Sequence, residues 1–143
     1  MSIRNRIPED NPALVEIWRR SVRATHTFLR AQDIDDLYPQ VRDMYLPSVT
    51  VWLDEAADGR ITGFIGVDGP QVEMLFIDPD LFGQGIGTSL LDHVREQHAR
   101  LTVDVNEQNP RAHRFYLRYG FKEIGRSATD SAGRPFPLVH LAY

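Results

Sequence analysis

Three glycines separated by single residues, Gly83-Gln84-Gly85-Ile86-Gly87, stand between a run of alternating apolar residues and a run with helical spacing. Upstream, Val72 to Ile77 reads as a strand that ends in Asp78-Pro79-Asp80, which cannot continue a sheet ladder. Downstream, Leu90, Leu91 and Val94 form a helical stripe, with His98 in the last turn. A strand, a glycine loop and a helix in that order let the backbone approach a ligand closely. They also aim several free N–H groups and the positive end of the helix dipole at one spot. That spot suits an anion, a pyrophosphate above all. The glycines alone fit a plain flexible turn equally well.

Two other phosphate loops can be compared. A Walker loop needs Gly-Lys-Ser/Thr, but Thr88 follows Gly87 directly and the lysine is missing. A dinucleotide fingerprint needs a third glycine where Thr88 stands, although Asp104 lies about twenty residues on, as a ribose-binding acid would. That fingerprint also belongs after the first strand of a parallel unit, whereas this loop follows an antiparallel meander.

The meander is read from a period of two beginning at Thr50. Val51 and Leu53 alternate, Asp58-Gly59 signals a hairpin, Ile61 to Val67 returns, and Asp68-Gly69-Pro70 turns into the strand before the loop. Ahead of it lie a short strand over Met1 to Ile7 and a helix with Asn11 as cap, Pro12 at its first position and Leu14, Ile17, Trp18 and Val22 inward. A second helical stretch spans about Asp33 to Leu46, with Ile34, Leu37, Val41, Met44 and Tyr45 inward; Pro39 should kink or split it, and Pro47 closes it. After the glycine helix come a strand at Leu101 to Val105, a helix opened by Asn109-Pro110 with Phe115 and Tyr119 inward and stopped by Gly120, and strands at Phe121 to Ala128 and Phe136 to Tyr143. The fold class is therefore α/β: a mixed sheet with helices on both faces, in the order β-α-α-β-β-β-α-β-α-β-β, within a single domain over residues 1–143.

A formal charge of −4 argues against a nucleic-acid partner, and the absence of cysteine removes disulfides, thiolate metal sites and a cysteine nucleophile. Five histidines without a carboxylate cluster at ligand spacing give no reason to expect a metal. With no apolar run of membrane-spanning length and no apolar stretch behind Met1 to Arg6, no membrane association is expected and the cytoplasm is the expected compartment.

Leu75-Phe76-Ile77-Asp78-Pro79, the loop Phe82 to Gly87, Asn106-Glu107-Gln108-Asn109 and Phe115-Tyr116-Leu117-Arg118-Tyr119-Gly120-Phe121 jointly resemble the GCN5-related N-acetyltransferase (GNAT) superfamily. Ser21 to Leu29, LFIDPD, VNEQN, GRS and the closing HLAY are similar to the bacterial YjaB-type protein acetyltransferases within it. The resemblance implies acetyl-CoA as donor, CoA as product and an amine acceptor, with a tilt toward protein lysine. It also implies that the strand ending at Ile77 splays from the parallel strand Leu101 to Val105. Leu75, Phe76 and Ile77 would line the pantetheine arm, Phe82, Gly83, Gln84, Gly85, Ile86, Gly87 and Thr88 would hold the pyrophosphate, and Asn106, Asn109 and Tyr116 would complete the cofactor site. The loop pattern usually opens with Gln or Arg. Phe82 in that place implies weaker or differently supported phosphate binding, with Arg111, Arg114 and Arg118 as candidates to compensate.

An amine near pKa 10.4 must lose a proton before it attacks a thioester, and a leaving thiolate needs one. Glu73 is the candidate for proton removal, direct or through water, and Tyr116 is the candidate acid, with the Leu75 N–H at the oxyanion. Thr25, His26 and Phe28, between the first two helices, are candidates for the acceptor pocket. A small-molecule amine acetyltransferase and a non-catalytic acyl-CoA-binding module are the alternatives.

Overall fold

The computed structural model describes residues 2–143 and follows the element order read from the sequence. Strand β1 (Ser2–Asn5) leads through a 3-10 turn (Pro8–Asp10) into helix α1 (Asn11–Thr25). Helix α2 (Ala31–Gln40) runs through a π-helical turn (Val41–Tyr45) into the single turn α3 (Leu46–Ser48). The meander is β2 (Thr50–Glu55), β3 (Ile61–Asp68) and β4 (Gln71–Ile77). Helix α4 (Ile86–Arg95), β5 (Thr102–Asn106), α5 (Pro110–Tyr119), β6 (Lys122–Ser127) and β7 (Leu138–Ala142) complete the chain. The sequence-expected first strand began at Met1, which lies outside the described residues.

All seven strands form one sheet in the order β1-β2-β3-β4-β5-β7-β6. The last strand inserts between β5 and β6, antiparallel to both. Within β3, Phe64 and Ile65 turn to opposite faces, as alternation requires, and join different cores. Phe64, Val51 and Leu53 pack with Leu14, Trp18 and Val22 of α1 and Ile34 of α2. Ile65, Val72, Val103, Val139 and Leu141 pack with Leu90, Leu91 and Val94 of α4 and Tyr116 of α5.

The parallel pair decides where the function can lie. β4 and β5 share only two register positions, Gln71 with Thr102 and Val72 with Val103. Beyond them β4 stays paired with β3 as far as Ile77, so its other edge, from Glu73 onward, has no strand beside it.

Several local expectations are corrected. Asn11 does not cap α1: its Oδ1 accepts the Arg6 guanidinium, and the chain enters the helix through the 3-10 turn. Asp10 organises that entry by accepting the Ile7 N–H and two N–H groups of Arg4. Met44 and Tyr45 face solvent, 61% and 43% exposed, because the π turn after Pro39 closes through Leu46 N–H to Val41 O. Val41 is inward as expected, and the five-residue spacing puts Leu46 inward in place of Met44 and Tyr45. Helix α4 ends at Arg95, leaving His98 outside it. On α5, Phe115 and Tyr119 pack inward as expected, half-buried, beside the fully buried Tyr116. No helix among the described residues is long and apolar enough to cross a membrane.

Candidate active site

The unpaired edge of β4, the glycine loop, the end of α1 and one face of α5 enclose a cleft of about 310 Å³. Leu75, Phe76, Ile77, Phe82 to Thr88, Asn109, Tyr116, Thr25 and His26 all line it. The structure thus brings together most of the residues singled out in the sequence.

The loop has the geometry of an anion seat. Gly83 and Gly85 sit at φ 81° and 82°, where a side chain is disfavoured, and a Cβ on either would have nothing within 4 Å. After Phe82 N–H bonds to Pro79 O, the next backbone donor to find a carbonyl is Ser89 N–H, to Gly85 O. The intervening N–H groups at the start of α4 are left for a ligand, and space lies open above them. Gly87 serves packing: a Cβ there would stand 3.1 Å from the Phe115 ring, so glycine lets α5 close against α4. These features fit the diphosphate of coenzyme A, and the bare edge of β4 fits its pantetheine amides.

Asn109 is buried and its Oδ1 accepts the Ala112 N–H at 3.3 Å, so it caps α5 from within the cleft wall. Tyr116, 6% exposed, lies edge-on between Phe115 and Phe121. Burial alone pushes its phenol well above the ordinary range, so it keeps its proton at neutral pH and is a donor. At the other wall the Thr25 hydroxyl donates to Ser21 O and lies 2.8 Å from His26 Nδ1, which makes Nδ1–H the donor to Thr25. Burial holds the His26 imidazole down at about 4, so it is neutral and presents Nε2 as an acceptor.

Three expected residues are not in the cleft wall. Glu73 is exposed on β4, one residue past the last β4–β5 pairing; burial, then Asp68 and Asp104, push its carboxyl up. Asp104 in turn accepts His140 Nδ1–H at 2.6 Å, and His140 Nε2 meets the Ser127 hydroxyl at 2.6 Å. Asn106 is committed to the turn after β5, its Oδ1 accepting the Gln108 N–H. Phe28 packs on His26 and Phe136 and lines a neighbouring groove of about 480 Å³ between the α1–α2 turn and the β6–β7 loop. Of the three arginines offered in compensation for Phe82, Arg111 and Arg118 line the cleft and Arg114 does not; Ser21, Leu81, Ala112 and Phe115 line it without a role expected from the sequence. The spacing of 109, 112, 115 and 116 on one helical face was the available signal for Ala112 and Phe115.

The acetyltransferase (GNAT) domain model matches residues 30–137. The chain belongs to the GNAT acetyltransferase family. This GNAT protein is an N-acetyltransferase whose acetyl donor is acetyl-CoA. It is 43% identical over 143 residues to the peptidyl-lysine N-acetyltransferase YjaB of Escherichia coli, covering 100% of this chain and 97% of that one. The peptidyl-lysine N-acetyltransferase YiaC of Escherichia coli is 32% identical over 125 residues, covering 87% and 85%. The solution structure of apo-form YjaB from Escherichia coli superposes with a TM-score of 0.91, covering 99% of this chain and 96% of that one.

Proposed function

We propose that this GNAT enzyme acetylates the ε-amine of lysine in a polypeptide, in the cytoplasm, by direct attack of the amine on the thioester. The observation that carries the acceptor is the groove beside the cleft. His26 lines the cleft, Phe28 lines the groove, and their ring centroids lie 5.4 Å apart, so a side chain entering the cleft can remain attached to a backbone lying in the groove. The names of YjaB and YiaC, both peptidyl-lysine N-acetyltransferases, support the same acceptor.

Bound acetyl-CoA supplies an activated thioester. The chain's own residues then manage two protons. The ammonium form of lysine carries no lone pair, so its proton passes to Glu73, through water, at the mouth of the strand gap. A raised carboxyl is better matched to this task than an ordinary one. As the C–N bond forms and the C–S bond breaks, the nitrogen releases its second proton through water to solvent, the Tyr116 O–H gives its proton to sulfur and is replenished from solvent, and Glu73 returns its proton to solvent after release. Neutral His26 accepts a hydrogen bond from the entering amine without repelling its charge.

Thiol release from acetyl-CoA across lysine peptides and free small amines tests the acceptor. We expect lysine peptides to exceed free amines at least tenfold in kcat/KM. Turnover with free amines alone would make this a small-molecule enzyme, and CoA binding without turnover on any amine would make it a binding module. Glu73→Gln should lower kcat/KM about 100-fold or more and remove the acid limb of its pH profile; an unaltered profile would take Glu73 out of the mechanism.

A further inference from the structure

The glycine loop offers backbone donors but no cation: residues 83–88 are Gly, Gln, Gly, Ile, Gly and Thr. A diphosphate carries at least two negative charges, and a helix terminus answers with only about half a positive one. In a chain of net charge −4, the remainder has to come from a specific side chain.

Arg111, the second residue of α5, reaches across the cleft so that its guanidinium carbon lies 4.1 Å from the centroid of the Phe82 ring. Both residues line the cleft. The loop and the opposing helix therefore meet through a cation on an aromatic face, at the head of the phosphate seat. Arg4, Arg20, Arg60 and Arg126 are tied to carboxylates, whereas Arg111 has no carboxylate partner among the described residues. A guanidinium resting on a ring uses its face and leaves the N–H groups along its edge free, which is the fork that matches two phosphate oxygens. Phe82 also limits the rotamers of a long, exposed side chain, lowering the entropy lost when the phosphate arrives.

We propose that Arg111, steadied by Phe82, is the cationic side-chain donor to the diphosphate of the acetyl donor. The two residues together replace the single polar side chain that the family pattern places at the head of the loop. Arg111 is the binding residue and Phe82 is a positioning residue.

Isothermal titration with CoA and with dephospho-CoA, which keeps the diphosphate and lacks the 3′-phosphate, tests this. Arg111 is exposed, so Arg111→Ala leaves the core untouched, which an unchanged melting temperature of the free protein would verify. Arg111→Ala should weaken both ligands about equally, by roughly tenfold or more, the size of a lost charge-assisted hydrogen bond. Phe82→Ala should weaken both by a smaller factor, and Arg114→Ala, exposed and outside the cleft, should weaken neither. Unchanged affinity in Arg111→Ala would reduce the pair to a structural lock, and weakening confined to CoA would assign Arg111 to the 3′-phosphate; either overturns the proposal. The inference rests on the diphosphate occupying the loop, and a wild-type protein that binds no CoA would sink that assignment instead.

Discussion

Replacing Gly85 separates the two demands made on the glycine loop. Gly85 holds φ 82° and ψ 8° at the cap of α4, and a Cβ there would touch nothing. Alanine therefore meets no clash and incurs only the left-handed backbone cost of roughly 1–2 kcal/mol. About 0.4–1 kcal/mol of that is offset by the stiffer unfolded chain. A net loss near 1 kcal/mol lowers the melting temperature of the free protein by about 4 °C. Asparagine tolerates this conformation better and should leave the free protein nearly as stable as wild type. Both side chains nevertheless project into the space where phosphate oxygens must come within about 2.9 Å of the N–H groups. Losing one such charge-assisted bond costs about 1.5–3 kcal/mol, or roughly 10- to 100-fold in Kd. In a thermal unfolding assay at a CoA concentration about 100 times the wild-type Kd, ligand stabilisation of about 2.7 kcal/mol would shrink to about 0.4 kcal/mol for a 100-fold loss. A Gly85→Asn protein that CoA stabilises as fully as wild type would refute the assignment of the diphosphate to this loop.

Tyr116→Phe keeps the buried ring and removes only the proton donor, so kcat should fall by about 100-fold while the Kd for CoA stays within twofold; an unchanged kcat would dismiss the acid role. His26 stays neutral in the folded protein down to about pH 4 while the unfolded chain takes up a proton near 6.5. Between those values the unfolded state holds the extra proton, so stability should rise with pH at up to about 1.4 kcal/mol per unit, roughly 3 kcal/mol or slightly more in all. Urea unfolding at pH 5 and pH 7 should show about 2 kcal/mol of this in wild type and lose it in His26→Gln. Asp78 is 1% exposed, and the tendency of burial to raise its carboxyl is overcome by Asp80 N–H, Arg60 and Arg20. Its folded pKa is depressed, so this stabilisation is present above about pH 4 and lost as pH falls through the folded value. Asp78→Asn should cost roughly 1–3 kcal/mol at pH 7 and much less near pH 2, as calorimetry at the two pH values would reveal.

The element order and the glycine loop were legible because both rest on local rules: residue period, proline placement, and the few residues that tolerate a left-handed turn. The insertion of β7 between β5 and β6 was not, since strand neighbours are chosen by contacts distant in sequence. Met44 and Tyr45 misled because a uniform 3.6-residue period cannot register one π turn. Phe82 was recognisable as unusual, yet only the folded chain puts Arg111 against it rather than Arg114. Glu73 read as one member of an alternating strand. The register shift between Gly66 and Val67 of β3, which pairs Val72 and Met74 across it and skips Glu73, has no local signature.

The short parallel pairing of β4 with β5 has a mechanical meaning. Four strands on one side and three on the other are joined by two rungs, so the sheet is close to being two wings that share a seam. A molecule lying in the notch and bonding along β4 while resting against α5 adds rungs that the polypeptide omits. With the donor placed as proposed, it is also mortar, and whatever departs after acetyl transfer takes part of the sheet's cohesion with it.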